Sequence, residues 1–250
     1  MLKVENLTKV YDDGTVALRE VSFEVPDGQF LAVVGLSGSG KSTLLRCINR
    51  LIEPTEGDIW WNDIHLSHVT GEELRRARRK IGMIFQQFNL VERSSVMKNV
   101  LAGRLGYTNP ITSVFNRFSK DDIERAYVSM DRVGIREKAN SRADELSGGQ
   151  QQRVGIARAL MQEPDLVLAD EPVASLDPVL AHSIMRHLQL INREDQISVL
   201  CSLHFLDLVQ EYGDHVIALN EGRLVFEGAP SEIDDARFKD IYGQDAERIG

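Results

Sequence analysis

The residues with the clearest capacity for chemistry lie between 35 and 42, where the sequence reads GLSGSGKS. This segment fits the pattern GxxxxGK[ST], in which glycines let backbone N–H groups turn towards phosphate oxygens that a side chain would obstruct. Lys41 adds a positive charge for the β- and γ-phosphates, and Ser42 offers a hydroxyl to Mg²⁺. An apolar stretch precedes the segment at 30–34, and apolar residues at helical spacing follow it. This strand–loop–helix context predicts a nucleotide phosphate site.

Two adjacent carboxylates end a second apolar stretch, which reads LVLADE at 166–171. Burying charge at a strand end is unfavourable unless a metal or a cation accompanies it. Asp170 is predicted to hold Mg²⁺ through water, and Glu171 to act as general base for the attacking water or to orient it. An isolated Asp-Glu pair more often lies on a surface turn, but its place beside a phosphate loop favours catalysis.

A third segment, LSGGQ at 146–150, places small residues before the helical pattern QQRVGIARAL. Ser147 is suited to cap this helix, since its hydroxyl can accept a bond from a free backbone N–H group. A helix N-terminus lined by glycines is equally suited to a phosphate. From the residues alone, both interpretations stay open.

Composition limits the classes of function. The chain has 250 residues, 42% of them hydrophobic, and a net charge of −9. This length supports one larger domain or two intimate subdomains. The negative charge argues against nucleic-acid or anionic-membrane binding as the main role. The basic run RRARRK at 75–80 is predicted to be a solvated helix face, with contact to a phosphate-bearing partner as the alternative.

Cysteine spacing and hydropathy give further expectations. Cys47 and Cys201 have no CxxC or Cys/His spacing, so both are predicted to be buried small residues in a reducing compartment. The N-terminal residues lack the features of a signal peptide. No stretch reaches the ~18 apolar residues of a membrane-spanning helix, so a membrane role is expected to depend on partners.

The apolar pattern predicts the elements that position these motifs. The first sixty residues favour short strands at 2–7, 21–25 and 57–61, with little helix between them. Continuously apolar stretches predict buried parallel strands at 30–34, 81–85 and 166–169. Further strands are predicted at 197–202, 216–219 and 223–226.

Helical spacing predicts the other elements. A helix follows the phosphate loop at 41–51, and two more are expected at 120–133 and 149–160. Residues 88–161 are interpreted as an inserted helical lobe, with an exposed loop at 103–118.

Six motifs in fixed order carry a resemblance to a known family. The P-loop, Gln86, LSGGQ, LVLADEP, SLD and His204 together resemble the ATP-binding cassette (ABC) family over essentially the whole chain. The resemblance implies an α/β fold of the P-loop NTPase class: a RecA-like parallel sheet, an N-terminal antiparallel β subdomain and an inserted α-helical subdomain. It implies one nucleotide-binding domain over 1–250, with a catalytic core at 1–87 and 162–250 and a helical signature subdomain at 88–161.

The resemblance also assigns roles to residues. Tyr11 is expected to stack on adenine with Val16 beside it, and Gln86 to touch Mg²⁺ and the water. Asp177 is expected to join two nucleotide sites, and His204 to contact the γ-phosphate, although a lone histidine after a strand is more often structural. The implied catalytic residues are Glu171, His204 and Gln86, and the implied Mg²⁺ ligands are Ser42, Gln86 and Asp170. The implied ATP contacts are Tyr11, Val16, Gly35, Leu36, Ser37, Gly38, Ser39, Gly40, Lys41, Ser42, Thr43, Ser147, Gly148, Gly149, Gln150 and Asp177.

The resemblance further implies partners. In this family the P-loop of one subunit meets the signature loop of another, so a dimer is expected, of two copies or with a similar chain. Two transmembrane permease subunits are expected to complete an importer, with a solute-binding protein outside the cell. The chain is then expected at the cytoplasmic face of the membrane, without a nucleic-acid partner.

Four segments resemble the ATPases of phosphonate importers: NVLAGRLG at 99–106, residues 110–118, DEPVASLDP and CSLH. Phe205 and the stretch Thr108–Pro110 depart from that pattern. Importers of phosphite or hypophosphite are expected to look nearly the same. A polar amino acid or methionine importer is the next interpretation. A non-transport cassette ATPase is the alternative of another class, but such proteins usually carry two cassettes or long coiled-coil insertions, which this sequence lacks.

Overall fold

The computed structural model describes residues 1–108 and 118–242. In these two segments, ten strands form one four-stranded and one six-stranded sheet. None of the helices in the same segments has both the length and the apolar character that a membrane span requires.

The four-stranded sheet is antiparallel, with strand order β2-β1-β4-β5. Its strands are β1 (Leu2–Val10), β2 (Val16–Val25), β4 (Glu56–Trp61) and β5 (Ile64–His65). Buried and exposed residues alternate along β2 and at the start of β1, as expected of a sheet with one face against a core. Strands β1, β2 and β4 contain the three strands predicted at 2–7, 21–25 and 57–61. Strand β5 is too short to give a sequence pattern.

The six-stranded sheet carries the phosphate loop. Its order is β10-β9-β3-β8-β7-β6, and only the β9–β10 pair is antiparallel. The strands are β3 (Phe30–Val34), β6 (Ile81–Ile84), β7 (Leu166–Ala169), β8 (Ser198–Ser202), β9 (His215–Asn220) and β10 (Arg223–Gly228). Every residue of β3, β6, β7 and β8 is buried, which explains their continuously apolar sequences.

Eight α-helices surround the sheets in the described part of the chain. They are α1 (Lys41–Ile48), α2 (Gly71–Arg79), α3 (Val96–Leu101), α4 (Lys120–Arg132), α5 (Gly148–Leu160), α6 (Pro178–Asp195), α7 (Leu206–Tyr212) and α8 (Asp235–Tyr242). Short 3₁₀ turns lie at Ala102–Arg104, Arg136–Lys138, Ala143–Glu145 and Pro230–Glu232. Ser119 caps α4 by accepting a bond from the backbone N–H of Asp122, as polar residues do at helix starts.

Strand β3 separates two hydrophobic cores. Phe30, Ala32 and Val34 pack into a core that includes residues of α3, α4, α5 and α6. Leu31 and Val33 pack on the opposite side, against the antiparallel sheet and α1. Because both faces of β3 are covered, the point at which the phosphate loop begins is held in place.

Two predictions of local structure need correction. The helix predicted at 41–51 ends at Ile48. The predicted exposed loop at 103–118 is wrong at its start, because Gly103 is buried in a 3₁₀ turn. A Cβ atom there would lie 2.1 Å from the backbone oxygen of Arg158, so α5 packs directly on this backbone. Residues 109–117 of that prediction lie outside the described residues.

The basic run of α2 is only partly a solvated face. Arg75 and Arg76 are exposed and pair with Glu72. Arg78 is half-buried, and its guanidinium donates to the backbone oxygens of Asn49 and Arg50. The C-terminal part of the run therefore holds the end of α1 in place.

Both cysteines are fully buried, as predicted. Burial raises the pKa of the Cys47 thiol to about 12 and raises the pKa of Cys201 as well. Neither thiol is ionised at neutral pH.

Candidate active site

The loop between β3 and α1 has a backbone that only glycine permits at two positions. Gly35 has φ 142°, and a Cβ there would lie 2.2 Å from the backbone oxygen of Leu219. Gly40 has φ 109°, and a Cβ there would lie 2.5 Å from the backbone oxygen of Ala17. Gly40 also forms the N-cap of α1 without a side-chain acceptor, so the first turn keeps backbone N–H groups that can bind an anion.

Polar groups within the loop are consistent with a phosphate ligand. Ser39 is buried, and its Oγ has no hydrogen-bond partner among the described residues. Lys41 is 3% exposed, and its Nζ donates to the backbone oxygens of Gly35 at 2.8 Å and Leu36 at 3.0 Å. Burial lowers the pKa of Lys41, while the nearby carboxylates of Glu171 and Asp170 oppose that shift. The loop therefore contains both the unpaired Ser39 hydroxyl and the Lys41 ammonium group.

Asp170 lies at the carboxyl end of β7 with no exposed surface. Its Oδ1 accepts bonds from Ser42 Oγ at 2.7 Å and Ser202 Oγ at 3.4 Å. Its Oδ2 accepts a bond from Arg46 Nη2 at 3.0 Å. The buried charge is therefore fully paired, and the Ser42 hydroxyl and the carboxylate supply oxygen ligands of the kind that Mg²⁺ prefers.

Glu171 follows with φ 47°, in the left-handed region of backbone conformation. Its backbone N–H donates to Ser202 Oγ at 2.8 Å. Its Oε1 lies 2.5 Å from His204 Nε2 and 3.7 Å from Lys41 Nζ. The carboxyl ends of β7 and β8 thus bring a carboxylate, an imidazole and the loop lysine together, as neighbouring parallel strands do.

Tyr11 lies between β1 and β2, beside α1. Its hydroxyl lies 3.1 Å from Thr43 Oγ1, and the Nζ atom of Lys9 lies 5.3 Å from the ring centroid. Val16 is half-buried at the start of β2, where it pairs with Val10. An aromatic ring is therefore held close to the phosphate loop with part of its surface exposed.

Gln86 is exposed two residues after the end of β6 and borders an open groove of about 540 Å³. The groove is lined by Arg46, Leu51, Ile52, Phe85, Gln86, Gln87 and Asn89. Phe88 and Asn89 both have positive φ angles, and their backbone oxygens accept bonds from Arg158 of α5 at 2.8 and 2.6 Å. Arg158 thus fixes the segment that follows Gln86 to α5.

The LSGGQ segment forms the N-terminus of α5. Ser147 Oγ accepts a bond from the Gln150 N–H at 3.4 Å, and Gln150 Oε1 accepts one from the Ser147 N–H at 3.1 Å. This capping box confirms the cap interpretation. Ser147 and Gly148 remain exposed, whereas a Cβ on buried Gly149 would lie 3.1 Å from Leu180. In the described part of the chain, no hydrogen bond joins 147–150 to 35–43.

Asp177 caps α6 and is exposed. Its Oδ1 accepts a bond from the Leu180 N–H at 3.0 Å, and Pro178 begins the helix. Because Leu180 also packs on Gly149, the Asp177 turn lies next to the LSGGQ segment.

Sequence reasoning missed three residues that hold the site together. Arg46 lies four residues after Ser42 on α1, a spacing that puts both on one helix face and could have been noticed. Ser202 ends β8 beside Asp170, at the edge where ligands bind in parallel sheets. Arg158 gave no local signal, because its partners lie about seventy residues away in the sequence.

The phosphate loop after β3 and the carboxylates after the nearby strand β7 define a P-loop nucleoside triphosphatase. Residues 18–174 match the family model of ABC transporters. The chain belongs to that family, and the predicted fold class is confirmed.

Curated relatives are similar over nearly the full chain. Phosphonates import ATP-binding protein PhnC of Bdellovibrio bacteriovorus is 52% identical over 250 residues, covering 100% of this chain and 96% of its own. Phosphonates import ATP-binding protein PhnC 1 of Oceanobacillus iheyensis is 51% identical over 244 residues, covering 98% of this chain and 95% of its own.

Solved structures share the fold. A dimeric ATP-binding cassette, MJ0796, in a post-hydrolysis state bound to ADP and Pi, superposes with a TM-score of 0.82 at 35% identity, covering 92% of this chain and 99% of that one. The cbiO1 subunit from Clostridium perfringens, part of the ABC transporter complex cbiONQ, gives a TM-score of 0.81 at 32% identity. The match covers 95% of this chain and 92% of that chain.

Proposed function

We propose that this chain is the ATP-hydrolysing subunit of a bacterial importer for phosphonates or related phosphorus oxyanions such as phosphite and hypophosphite. One arrangement carries the ATPase proposal: Lys41, Ser42, Asp170, Glu171 and His204 meet at the end of the parallel sheet. The names of relatives about half identical in sequence support the solute class.

The loop 35–43 binds the phosphates of ATP in this proposal. Its free N–H groups and Lys41 oppose the phosphate charge, while Tyr11 stacks on adenine beside Val16. Ser42, Asp170 and Gln86 would hold Mg²⁺, and the ion would neutralise charge on the phosphate oxygens. The hydroxyl and carboxylate oxygens already brought together by Ser42 and Asp170 support this assignment.

Glu171 is the proposed general base. Its carboxylate accepts the proton of the attacking water, and the contact with His204 Nε2 holds Oε1 in one orientation. His204 is 29% exposed, so its ring is accessible, and in this proposal it also contacts a γ-phosphate oxygen. Hydrolysis then needs a water in line with the γ-phosphate and no covalent intermediate on the protein.

The complete site is proposed to form between two subunits. Ser147 and Gly148 are exposed on the chain and make no hydrogen bond to its own phosphate loop. A second copy supplies Ser147, Gly148, Gly149 and Gln150 to cover the γ-phosphate, and the neighbouring Asp177 turn links the two sites. The dimeric state of the structural relative MJ0796 supports a homodimer.

The proposed domain division follows the packing. Helices α3, α4 and α5 pack on one another within 88–161, while 1–87 and 162–250 supply both sheets. Two transmembrane permease subunits dock at the groove beside Gln86, where Leu51 is 53% exposed. The chain then works at the cytoplasmic face of the membrane, served by an external solute-binding protein.

The test is reconstitution with the proposed permease subunits and titration of the solute-binding protein that works with them. Phosphonates, phosphite, hypophosphite, phosphate, polar amino acids and methionine are each measured for binding and for ATP-dependent uptake into vesicles. Uptake of a phosphonate or a phosphorus oxyanion supports the proposal. Uptake of an amino acid alone contradicts the solute class. Co-purification with ribosomes or DNA, without a permease, contradicts the transport role.

A further inference from the structure

Three side chains of metal-binding type meet on the antiparallel sheet, apart from the nucleotide site. Asp58 lies on β4, His65 on β5, and His68 in the turn that follows. One ligand atom from each lies within 4.8 Å of the other two. Two imidazole nitrogens and one carboxylate oxygen form a donor set typical of transition-metal sites.

The backbone explains why these residues converge. Trp60 and His65 are direct partners in the β4–β5 pair, and Asp58 lies two residues before Trp60, on the same face of β4. After β5, the N–H groups of His68 and Val69 both donate to the His65 backbone oxygen, at 3.0 and 3.2 Å. This tight turn brings His68 round to the face that carries His65.

The distances suit an ion between the side chains. Asp58 Oδ1 lies 2.7 Å from His65 Nε2 and 3.7 Å from His68 Nε2. Zinc bonds of about 2.1 Å in tetrahedral geometry place ligand atoms roughly 3.4 Å apart. Because the two observed separations lie on either side of that value, small side-chain rotations suffice to admit the ion.

Neighbouring groups fix the ligands before an ion arrives. The His65 ring stacks on Trp60, with centroids 3.8 Å apart and planes 11° apart. The turn is tied to β4 because Ser67 Oγ accepts a bond from the Ile59 N–H at 2.9 Å. The His68 side chain is 72% exposed, so the site opens to solvent on one side. Such a site has an entry path and room for water ligands.

The local charges favour a cation. Glu5 lies opposite Asp58 in the β1–β4 register, and like charges in this position are unfavourable. Lys3 pairs with Glu5 at 2.9 Å. Within the described residues, the ion pairs of Asp58 are only those with His65 and His68. Lys3 offsets part of the Glu5 charge, and a cation beside Asp58 relieves the repulsion that remains.

We propose that Asp58, His65 and His68 bind one divalent transition-metal ion such as Zn²⁺, with water completing the coordination. Imidazole ligands select this class over Mg²⁺ and Ca²⁺, which take oxygen ligands. The ion joins β5 and its turn to β4. It belongs to a site separate from the Ser42 and Asp170 oxygens and goes beyond the proposed ATPase role.

The test is zinc titration of the full chain against a fluorescent chelator, with saturating Mg²⁺ and ADP present to fill the nucleotide site. One Zn²⁺ per chain is expected, and His68→Ala should weaken binding at least about tenfold. The exposure of His68 keeps this change compatible with folding. Asp58→Asn keeps side-chain shape and should weaken binding similarly. His215→Ala is the matched control, since His215 lies 3.5 Å from Glu227 as a histidine–carboxylate pair.

A cobalt titration gives a second readout. The chain should develop a visible Co²⁺ absorption band that His68→Ala lacks and His215→Ala retains. The proposal is overturned if no saturable zinc binding occurs. The proposal also fails if His68→Ala binds zinc as tightly as the unchanged chain. It fails likewise if His204→Ala, rather than His68→Ala, loses zinc binding, because the ion then lies elsewhere.

Discussion

Arg46 and Ser42 together hold both oxygens of Asp170. Arg46 Nη2 lies 3.0 Å from Oδ2, and Ser42 Oγ lies 2.7 Å from Oδ1. The two donors lie one helical turn apart on α1, so a single helix face orients a carboxylate that has no exposed surface. Asp170 is therefore placed by a side chain that belongs to no recognised motif.

Arg46→Ala should destabilise the chain, because Asp170 loses one of its charge partners. Removing one member of a buried pair costs about 3–5 kcal/mol, but Arg46 is 41% exposed and the serines still bond to Asp170. We expect the free energy of unfolding in urea to fall by about 1–2 kcal/mol. Arg75→Ala removes an exposed partner of Glu72 and should change it by less than about 0.5 kcal/mol. Equal losses in the two variants would refute the special role of Arg46.

Glu171→Gln should abolish steady-state ATP hydrolysis while ATP-bound dimers accumulate. The amide keeps the shape of the side chain but cannot accept a proton, so a loss of at least about 100-fold is expected. Phosphate release and size-exclusion chromatography measure the two effects. Glu24→Gln, on an exposed position of β2, is the control and should hydrolyse normally. Turnover near the original rate in Glu171→Gln would remove Glu171 from the mechanism.

Lys41→Ala should weaken ATP binding itself. The change removes a charged contact to the phosphates worth about 1.5–3 kcal/mol, which corresponds to at least roughly a tenfold rise in Kd. Equilibrium binding of a fluorescent ATP analogue measures this. Lys80→Ala, which removes a half-exposed lysine that pairs with Asp165, should leave Kd unchanged. Unaltered affinity in Lys41→Ala would contradict the phosphate assignment.

Gln86→Ala should lower both transport and permease-stimulated hydrolysis but spare ATP binding. Gln86 borders the groove proposed for the permease and precedes the segment that Arg158 holds. If the change weakens the coupling between the ATPase site and the permease by about 1 kcal/mol, the rates of transport and of stimulated hydrolysis fall roughly fivefold. Uptake into vesicles, compared with the exposed α7 variant Gln210→Ala, measures the effect. Unchanged uptake in Gln86→Ala would contradict the proposed role of Gln86 in coupling to the permease.

Local patterns predicted much of the fold, because they reflect burial. The strands at 30–34 and 166–169 were predicted with their observed bounds, since continuous apolar residues are needed where both faces are covered. Strand β5 has two residues, too few for a pattern. The stretch that begins at Gly103 looked polar and loop-like, whereas Gly103 itself is buried against the α5 backbone.

The site was predictable where residues follow a strand directly. The positions of Lys41, Asp170 and Glu171 follow from the strand-end rule and the P-loop pattern. The links between motifs were not predictable. Arg158 reaches Phe88 and Asn89 through tertiary packing, and Ser202 meets Asp170 because β7 and β8 are neighbours in the sheet order.

Helix α5 has a mechanical consequence for the proposed dimer. The residues at its start, 147–148, are those proposed to touch the nucleotide of the other subunit. Arg158, near its other end, donates hydrogen bonds to the backbone that follows Gln86. Ten residues of α-helix span about 15 Å, and this helix packs on both α3 and α4. We therefore expect a displacement at the nucleotide end of α5 to reach the groove beside Gln86, because one continuous helix joins the two.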